Sequence, residues 1–429
     1  MPVRLQFEGI RCFSEPQDAI IRPLTLLVGE NSSGKSTFLA LCRIASSLTR
    51  GFAQSIPFNE PPFLLGAYDQ IASYRGGSAG RAKSFSIGVS AGDDLRSGSV
   101  RAEFLSKHGQ PWVSVWRLAI GDLVLQVMSK GWDAFAMVLE SPQGKLEIPQ
   151  ATPLALFQLV QEIPPQNWAD FLKSFLGSQT PITVFSQSDM NAFGDTLESI
   201  RKAFGRRTYA FAPVRTSPQR TYDPVSADPK PEGSHVPMLL ASLSRSPANT
   251  RWAALRSALS EFGSDSGLFE QIEVIQKGKK ESDPFQIGVR SGGPAFNLVD
   301  VGYGVSQALP ILVDLLQRSA TDEVFLLQQP EVHLHPRAQA ELGSFFARQV
   351  HKRGRFVIET HSDHLVDRVR MEVRRGKLRP EDVSLLYFER QKHGATIHNL
   401  ELDKDGGIAN PPEGYRQFFL NEERALLDV

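Results

Sequence analysis

A single stretch, GENSSGKST at residues 29–37, constrains the fold of this chain more than any other. It follows the apolar run LTLLV and precedes TFLALCRIASSLT, which has the periodicity of an amphipathic helix. Gly29, Gly34, Lys35 and Ser36 have the spacing of a Walker A loop, which wraps phosphates with backbone N–H groups at a helix N-terminus. A strand, this loop and a helix in succession predict an α/β fold with a phosphate-binding site.

The loop also predicts which side chains meet a nucleoside triphosphate and its metal. Lys35 is expected to reach the β- and γ-phosphates, and Ser36 is expected to bind Mg²⁺. Asn31 is a candidate for orienting the γ-phosphate or a water molecule. The expected cofactors are therefore ATP and Mg²⁺, and the expected nucleotide-binding residues of the loop are Gly29, Asn31, Ser32, Ser33, Gly34, Lys35, Ser36 and Thr37.

Composition narrows the classes of function. The chain has 429 residues, of which 41% are hydrophobic and 22% are charged, as in a globular protein. Its 47 basic and 47 acidic residues cancel, so there is no overall charge that favours nucleic acid. Neither Cys12 nor Cys42 belongs to a CxxC pair. The first residues lack the apolar region of a secretory signal, and no run of about 18 apolar residues occurs. We therefore expect a cytoplasmic protein without a membrane span.

Three further motifs lie in the second half of the chain: GYGVSQ at 302–307, QQPEVHLHP at 328–336 and ETHSDHL at 359–365. Their order and spacing after the Walker A loop resemble the OLD/RecF-like AAA ATPases, whose ABC-type heads are related to SMC heads. The segments APVRTSPQRTY and LDKDGGIANPPEGY resemble the same group. The resemblance implies an α/β fold of the ABC-type P-loop ATPase head, in which a mixed central sheet with helices is joined to an antiparallel β lobe and a mostly helical insertion.

With this resemblance, the pattern of the chain suggests three segments. Residues 1–150 are expected to form the N-terminal part of the ATPase head, with the Walker A loop and the β lobe. Residues 151–270 are expected to form a mostly helical insertion with a Pro-rich loop at 216–237. Residues 271–429 are expected to form the C-terminal part of the head, with the signature, a Walker B-like segment, a switch histidine and a final helix at 413–427.

The resemblance also implies roles for the signature and the switch histidine. In such heads two subunits sandwich ATP, and the signature helix of one subunit faces the γ-phosphate bound by the other. This role falls on Gly304, Ser306 and Gln307, at the glycine-rich start of a predicted helix. His361 is implied to contact the γ-phosphate and to sense its loss. We therefore expect a homodimer, or a higher homo-oligomer, through ATP-sandwiched heads.

Several other polar residues have two interpretations. The segment LGAYDQIASYRGG falls where these heads place a loop that contacts Mg²⁺ or the attacking water, so Gln70 or Asp69 is a candidate, but a polar surface loop explains it equally well. Arg215 and Arg220 are expected either to reach phosphate or to fix their loop through carboxylates. The histidines at 333, 335, 361 and 364 lack the cysteine or HxxxH helix typical of zinc sites, so zinc is not expected.

The Walker B-like strand lacks its usual acids. Gln328 and Gln329 stand where a magnesium-holding carboxylate and a catalytic glutamate are expected. An amide oxygen can bind a hard cation, but it carries no charge and accepts no proton at neutral pH. The candidate catalytic residues are therefore Gln328, Gln329, Glu331 and His361, with Ser36, Gln328 and Gln70 as candidate metal ligands.

Three interpretations of the missing acids remain open from the sequence. In the first, Glu331 supplies the negative charge, as a base or as a magnesium partner. In the second, the head binds ATP tightly and hydrolyses it slowly, so that dimerisation is the signal. In the third, Gln328 is an engineered Glu→Gln change that traps the bound state.

No second catalytic motif follows the switch histidine, so the head is expected to act through another protein. The first hypothesis is an ATP-hydrolysing subunit that dimerises around ATP and controls a separate nuclease or toxin in an anti-phage or genome-maintenance module. The alternative is a hydrolysis-poor, ATP-gated scaffold that holds or releases such a partner. A transporter subunit is disfavoured by the chain length and the signature. The basic run from Arg368 to Arg379 is a candidate DNA contact, although a solvated helix face is the usual explanation.

Overall fold

Two β-sheets pack against the helix that follows the Walker A loop. The computed structural model describes part of the chain, and the descriptions below concern that part. It covers residues 3–151 and 207–415, apart from gaps at 51, 54–55, 75, 77–79, 92–97, 132–133, 143, 226–227, 246–248, 319–322, 353 and 393, together with residues 195, 196, 198, 200, 201 and 204.

The elements are numbered in chain order. The strands are β1 (Val3–Glu8), β2 (Gln17–Ile21), β3 (Leu24–Gly29), β4 (Asn59–Glu60), β5 (Phe63–Leu64), β6 (Ser84–Ala91), β7 (Gly98–Lys107), β8 (Gln110–Ile120), β9 (Leu123–Ser129), β10 (Phe135–Ser141), β11 (Gly144–Ala151), β12 (Arg207–Phe211), β13 (Gln271–Gln276), β14 (Phe285–Arg290), β15 (Phe296–Asn297), β16 (Glu323–Gln328), β17 (Arg355–Glu359), β18 (Val383–Gln391), β19 (Gly394–Leu402) and β20 (Ile408–Ala409). The helices are α1 (Lys35–Leu48), α2 (Tyr68–Ile71), α3 (Val236–Ser244), α4 (Thr250–Ser266), α5 (Tyr303–Arg318), α6 (Pro336–His351) and α7 (Asp363–Arg374), with 3₁₀ turns at Leu298–Asp300 and Pro380–Asp382.

The first sheet is an antiparallel lobe with the strand order β11-β10-β9-β8-β7-β6-β1-β2. Along β7, Val100, Ala102 and Phe104 are fully buried, whereas the residues between them are more exposed, because successive side chains of a strand point to opposite faces. Trp116 on β8 is also fully buried, and its indole N–H donates to the carbonyl of Leu48 at the end of α1, at 3.4 Å. The lobe is therefore fixed to the Walker A helix.

The second sheet carries the phosphate loop and has the order β12-β16-β17-β3-β18-β19-β20. Its first five strands are parallel, and β19 and β20 are antiparallel to their neighbours. The strand β17 lies between β3, which precedes the Walker A loop, and β16, which carries the Walker B-like end. Because the carboxyl ends of parallel strands meet at one edge of a sheet, the ends of β3, β16 and β17 form one side of a crevice.

Polar and aromatic contacts hold the two sheets together. The N–H of Ile20 in β2 donates to the side-chain oxygen of Asn399 in β19, at 2.7 Å. Beneath the phosphate loop, the ring of Phe388 on β18 lies 5.5 Å from that of Phe38 in α1 and 6.2 Å from that of Phe13, centroid to centroid. This aromatic cluster supports α1 from the sheet side.

The helix α5 is tied to the edge of the central sheet by a buried polar network. Asp314 accepts a hydrogen bond from the hydroxyl of Tyr209 on β12 at 2.8 Å and contacts Nε2 of His235 at 3.0 Å. The N–H of Lys230 donates to Nδ1 of the same ring at 3.2 Å, so Nε2 carries the proton given to Asp314. Pro310 lies inside α5, not in its first turn.

The predicted fold class is confirmed in its mixed central sheet and its antiparallel lobe. The helices predicted within 151–204 and at 413–427 lie almost wholly outside the described residues. The described part of segment 151–270 includes β12, which is the edge strand of the central sheet, so that sheet draws strands from all three predicted segments. The boundaries at 150 and 270 stay a prediction. Within the described residues, no helix is long and apolar enough to cross a membrane.

Truncation of the aromatic cluster is expected to destabilise the head. Phe388→Ala removes a fully buried ring and should lower the free energy of unfolding by about 3–5 kcal/mol, measured by denaturant unfolding. Phe296→Ala is the matched control, because that ring is 54% exposed and its loss should change stability by less than about 0.5 kcal/mol. Equal effects of the two changes would contradict this description of the core.

Candidate functional site

Two glycines set the shape of the phosphate loop. Gly34, with φ of 98°, precedes α1, and a Cβ at this position would lie 2.4 Å from the ring of Phe13. Gly29, with φ of 137°, ends β3, and a Cβ there would lie 2.3 Å from the carbonyl oxygen of Phe388. Both positions combine a backbone conformation that favours glycine with a close neighbour. The backbone between them is therefore free to turn its N–H groups towards a phosphate.

Lys35 is held inside this loop. Its side chain is almost fully buried, and Nζ donates to the carbonyl oxygens of Gly29 at 2.9 Å and Glu30 at 2.6 Å. Burial lowers the pKa of Lys35, while the charges of Glu359 and Glu30 oppose that change. The ammonium group is thus already in place at the N-terminus of α1, where phosphate oxygens can replace the carbonyl partners.

A buried acid lies against the second functional residue of the loop. The hydroxyl of Ser36 donates to Oε2 of Glu359 at 2.8 Å, and Glu359 is only 5% exposed. Burial raises the pKa of Glu359, and hydrogen bonds from Ser36 and from the side chain of Gln328, together with the charge of Lys35, oppose that rise. From the sequence, Glu359 was recognised only as the first residue of the ETHSDHL motif, two residues before the switch histidine. Its position at the end of a predicted strand was the signal that it shares an edge with the Walker A loop.

The two amides of the Walker B-like end have different positions. Gln328 is the register partner of Glu359 on the neighbouring strand, and its Oε1 is buried without a hydrogen-bond partner among the described residues. Gln329 adopts a left-handed conformation with φ of 44°, and its N–H donates to the carbonyl of Glu359 at 2.8 Å. Such a conformation is strained for glutamine, and the strain lies in a residue that faces the phosphate loop.

These residues surround one cleft of about 530 Å³. Its lining consists of Arg11, Cys12, Asn31, Ser32, Gly34, Lys35, Ser36, Thr37, Gln329 and Glu359. Sequence reasoning did not single out Arg11, which follows β1 and donates to the hydroxyl of Thr37 at 3.2 Å and to the carbonyl of Leu65 at 3.1 Å. A basic residue at the end of the first strand is a weak signal until the topology shows that this turn lies beside the phosphate loop.

Glu331 lies next to the switch segment and is not among the residues that line the cleft. Its Oε1 accepts the backbone N–H of His361 at 2.8 Å, and the side chain is almost fully buried. Burial raises the pKa of Glu331, and the hydrogen bond from His361 is the main opposing effect. The imidazole of His361 is exposed, and its pKa is lowered by desolvation and by the charge of Lys35. The carboxylate beside Ser36 therefore comes from Glu359, not from Glu331.

Arg215 supports the Walker B-like turn from behind. Its guanidinium is 3% exposed and donates to the carbonyls of Gln328 at 3.3 Å, Gln329 at 3.5 Å and Pro213 at 3.2 Å. Burial lowers its pKa to about 10, which the charge of Glu331 opposes. Arg215 thus fixes the loop through main-chain carbonyls rather than the predicted carboxylates.

Arg220 does pair with a carboxylate. It makes two contacts with Asp300, of 3.0 and 2.6 Å, and both partners are open to solvent. Asp300 lies two residues before the signature segment, so this ion pair ties the Pro-rich loop to the signature. It is consistent with the second of the two interpretations of Arg220.

The signature residues lie apart from the cleft of their own copy. The hydroxyl of Ser306 donates to the carbonyl of Tyr303 at 2.9 Å, and the side-chain oxygen of Gln307 accepts the N–H of Arg215 at 3.3 Å. A Cβ on Gly304 would lie 3.0 Å from the carbonyl oxygen of His333, so this glycine allows α5 to approach the Walker B-like turn. Tyr303 is 66% exposed at the start of the helix.

Gln70 and Asp69, the two candidates for a contact with Mg²⁺ or the attacking water, do not lie at the cleft. Gln70 uses its side-chain oxygen to accept the N–H of Ala67 at 2.9 Å, so it caps the short helix α2, and Asp69 beside it is exposed. Neither residue lines the cleft. Among the described residues, no group of three or more His, Cys, Asp or Glu side chains could hold a metal ion. The histidines at 333, 335, 361 and 364 therefore form no such group.

The predicted basic patch is largely neutralised within the chain. Five of its six cationic side chains have acidic partners on the same molecule, which reduces the charge offered to a polyanion. The contacts are Arg368 with Glu341, Arg370 with Asp367, Arg375 and Lys377 with Glu372, and Arg379 with Asp382. These pairs favour the interpretation as a solvated helix face, and DNA contact through Arg368–Arg379 stays a prediction.

Two family models match the chain. Residues 163–367 match the model described as "AAA domain, putative AbiEii toxin, Type IV TA system". Residues 378–424 match the model described as "Protein of unknown function (DUF3696)". No curated protein matches the chain significantly.

Solved SMC heads are among the structural neighbours. An SMC head bound to the C-winged helix domain of ScpA is 11% identical, with 94% of this chain and 98% of that chain covered and a TM-score of 0.46. The SMC head domain from Thermotoga maritima is 10% identical, with 94% and 100% covered and a TM-score of 0.43. An Smc head from Pyrococcus furiosus, bound to the C-terminal domain of ScpA, is 10% identical, with 99% and 100% covered and a TM-score of 0.43. These values are low, so the fold is defined here by the strand order of the chain itself.

The left-handed backbone at Gln329 gives a testable consequence for stability. Gln329→Gly should leave the free energy of unfolding unchanged or raise it by up to about 1 kcal/mol, because glycine adopts this conformation without strain. Gln329→Val should lower it by about 1–2 kcal/mol, because a β-branched side chain is disfavoured at positive φ. Gln126→Val in β9 is the control, since valine suits an extended strand. A loss of stability in Gln329→Gly larger than that in Gln329→Val would contradict the described turn.

Proposed function

We propose that this chain, in which residues 163–367 belong to an AAA-type ATPase domain, is an ABC-type head that binds ATP with Mg²⁺ and joins two copies around it. The joined state then controls a separate effector protein. The observation that carries the proposal is the arrangement of Lys35, Ser36 and Glu359 at one edge of the central sheet. An ammonium group, a hydroxyl and a buried acid in one cleft are the groups that a triphosphate and its metal require.

The phosphate loop supplies the binding energy for the nucleotide. Ser32, with φ of 60°, and Gly34, with φ of 98°, adopt left-handed backbone conformations on either side of Ser33, a pattern that suits an anion-binding nest of backbone N–H groups. The N-terminus of α1 adds the positive end of the helix dipole. Lys35 exchanges its carbonyl partners for phosphate oxygens, and Ser36 is the metal ligand from the loop. Mg²⁺ held there would offset the negative charge of the phosphates.

A second copy is needed to complete the site. Gly304, Ser306 and Gln307 do not line the cleft of their own copy, although the resemblance assigns them to a γ-phosphate. Exposed apolar side chains surround the start of their helix: Phe296 is 54% exposed, Val299 37% and Tyr303 66%. Such a patch on a surface is typical of an interaction site. Apposition of two heads would cover it and bring each signature to the other copy's ATP.

Hydrolysis depends on a group that accepts a proton from water. Gln329 lines the cleft at the expected place of that group, but an amide cannot act as a base. Glu331 is outside the cleft lining and holds the backbone of His361, which favours a positioning role for it. The second candidate function is therefore the hydrolysis-poor, ATP-gated scaffold, and the neutral side chain at 329 is the observation that favours it.

The effector is inferred from the family description. The matched model names the AbiEii toxin and a type IV toxin–antitoxin system, so a toxin is the first class of partner to test, with a nuclease as the second. Co-expression with the products of neighbouring genes tests this part. Purified complexes that assemble or dissociate on addition of ATP support it, and an association indifferent to ATP contradicts ATP control.

Addition of ATP and Mg²⁺ is expected to double the mass of the protein in solution, as measured by multi-angle light scattering. Lys35→Ala should abolish this change and weaken ATP binding by about 100-fold or more, because a charge-assisted phosphate contact is lost. Tyr303→Glu should still bind ATP but should not double in mass, because a charge is placed on the apposed surface.

The control for this experiment is Lys404→Ala, which removes an exposed lysine from a turn that is not part of the cleft lining. It should bind ATP and double in mass as the unaltered chain does. An unaltered chain whose mass is the same with and without ATP and Mg²⁺ would contradict ATP-gated dimerisation.

Two substitutions of Glu331 distinguish a positioning role from a role as general base. Gln retains an oxygen that accepts the N–H of His361, so Glu331→Gln should keep ATP turnover within about threefold. Ala removes that acceptor, so Glu331→Ala should lower turnover by about tenfold or more. Steady-state phosphate release measures both. A loss of about 100-fold in Glu331→Gln would instead identify Glu331 as the general base.

A further inference from the structure

The strand order places an acid, Glu359, next to Gln328, which stands where the Walker B acid is expected. Gln328 ends β16, and its register partner on β17 is Glu359. Adjacent strands lie about 4.8 Å apart, so the two side chains leave the sheet edge side by side. On the other side of β17, Glu359 is paired with Leu27 of β3, which leads directly into the Walker A loop. Glu359 therefore stands between the Walker A loop and the amide that replaces the usual acid.

The contacts of Glu359 are those expected of an acid that helps to hold the Mg²⁺ of a Walker A site. Its Oε2 lies 2.8 Å from the hydroxyl of Ser36, the loop residue that binds the metal in Walker A sites. It makes no ion pair within 4.0 Å with Lys35 or any other cation in the described part of the chain, and Lys35 is satisfied by carbonyls. A carboxylate that is 5% exposed and lacks a paired cation is costly, and a bound cation would offset that cost.

A second observation, on the strand next to Glu359, also points to a ligand. Oε1 of Gln328 is buried and has no hydrogen-bond partner among the described residues. Buried polar atoms are usually satisfied, and an unsatisfied one calls for a missing water, ion or ligand group. Mg²⁺ takes oxygen ligands, commonly one or two carboxylates with substrate phosphates and several waters. The carboxylate of Glu359 and the hydroxyl of Ser36 in the cleft, with the amide oxygen of Gln328 on the strand beside Glu359, fit that preference.

We propose that Glu359 takes over the part of the acid absent at position 328, and that Glu359, Ser36 and Gln328 together hold the Mg²⁺ of bound ATP. This inference rests on the proposed ATP-binding function and identifies the acid of that site. The negative charge that the metal requires then comes from Glu359 at the end of β17 and not from the end of β16. Gln328, at the end of β16, contributes a neutral oxygen. The switch residue His361 follows Glu359 by two residues, so the backbone links it to the acid that would hold the metal.

Binding measurements separate the metal from the nucleotide. A fluorescent, non-hydrolysable ATP analogue is titrated in EDTA and in Mg²⁺, and Mn²⁺ with the same analogue is followed by electron paramagnetic resonance. Glu359→Gln should weaken Mg²⁺-dependent binding by about tenfold or more and lower Mn²⁺ occupancy. Binding in EDTA should be unchanged or tighter, because a negative charge near the triphosphate is removed.

A charge swap tests position as well as charge. Gln328→Glu combined with Glu359→Gln returns the acid to the Walker B strand and should restore Mg²⁺-dependent binding to within about threefold. Glu372→Gln is the matched control, because Glu372 is also buried and accepts from a serine, Ser344, at 3.1 Å, but lies outside the cleft lining. Circular dichroism confirms that each variant is folded.

The outcomes distinguish this inference from the function on which it rests. Selective loss of metal-dependent binding in Glu359→Gln, with restoration in the double variant, supports the assignment. Unchanged Mg²⁺ and Mn²⁺ binding in Glu359→Gln, or an equal loss in Glu372→Gln, overturns it while ATP binding itself stands. An unaltered chain that binds the analogue neither in EDTA nor in Mg²⁺ overturns the proposed function.

Discussion

The insertion of β17 between β3 and β16 is the constraint on which the site depends. Parallel pairing on both sides of β17 fixes the ends of three strands at one edge of the sheet. As a result Ser36 and Glu359, which are separated by most of the chain, lie within 2.8 Å of each other. A slip of one residue in either register would turn Glu359 to the opposite face of the sheet and separate it from the phosphate loop.

The remaining features hold this edge in place. Arg215 binds the carbonyls of Gln328 and Gln329 from behind, and Glu331 binds the backbone of the switch segment. The left-handed turn at Gln329 persists because these neighbours fix it on both sides. A buried lysine and a buried acid coexist in the cleft, and each is held by neutral hydrogen-bond partners. The protein thus carries the cost of a preformed site, which lowers the cost of ordering it when ATP binds.

The sequence predicted those parts of the site that depend on local pattern. The Walker A loop, its strand and its helix follow from spacing and hydrophobic periodicity, and the antiparallel lobe follows from alternating segments. It did not predict Glu359 as the neighbour of Ser36, because that contact depends on strand order rather than on distance along the chain. Nor did it separate Glu331 from the cleft, since the turn at Gln329 redirects the chain after β16.

The central claim is that Glu359 supplies the acid that the Walker B-like strand lacks. A crystal structure of the chain with a non-hydrolysable ATP analogue and Mg²⁺ tests it most directly. A Glu359 oxygen is expected at about 2.1 Å from the metal, or one water molecule away from it, with Ser36 as a direct ligand. A metal held by Ser36, phosphates and Gln328 alone, with Glu359 turned away from it, would contradict it.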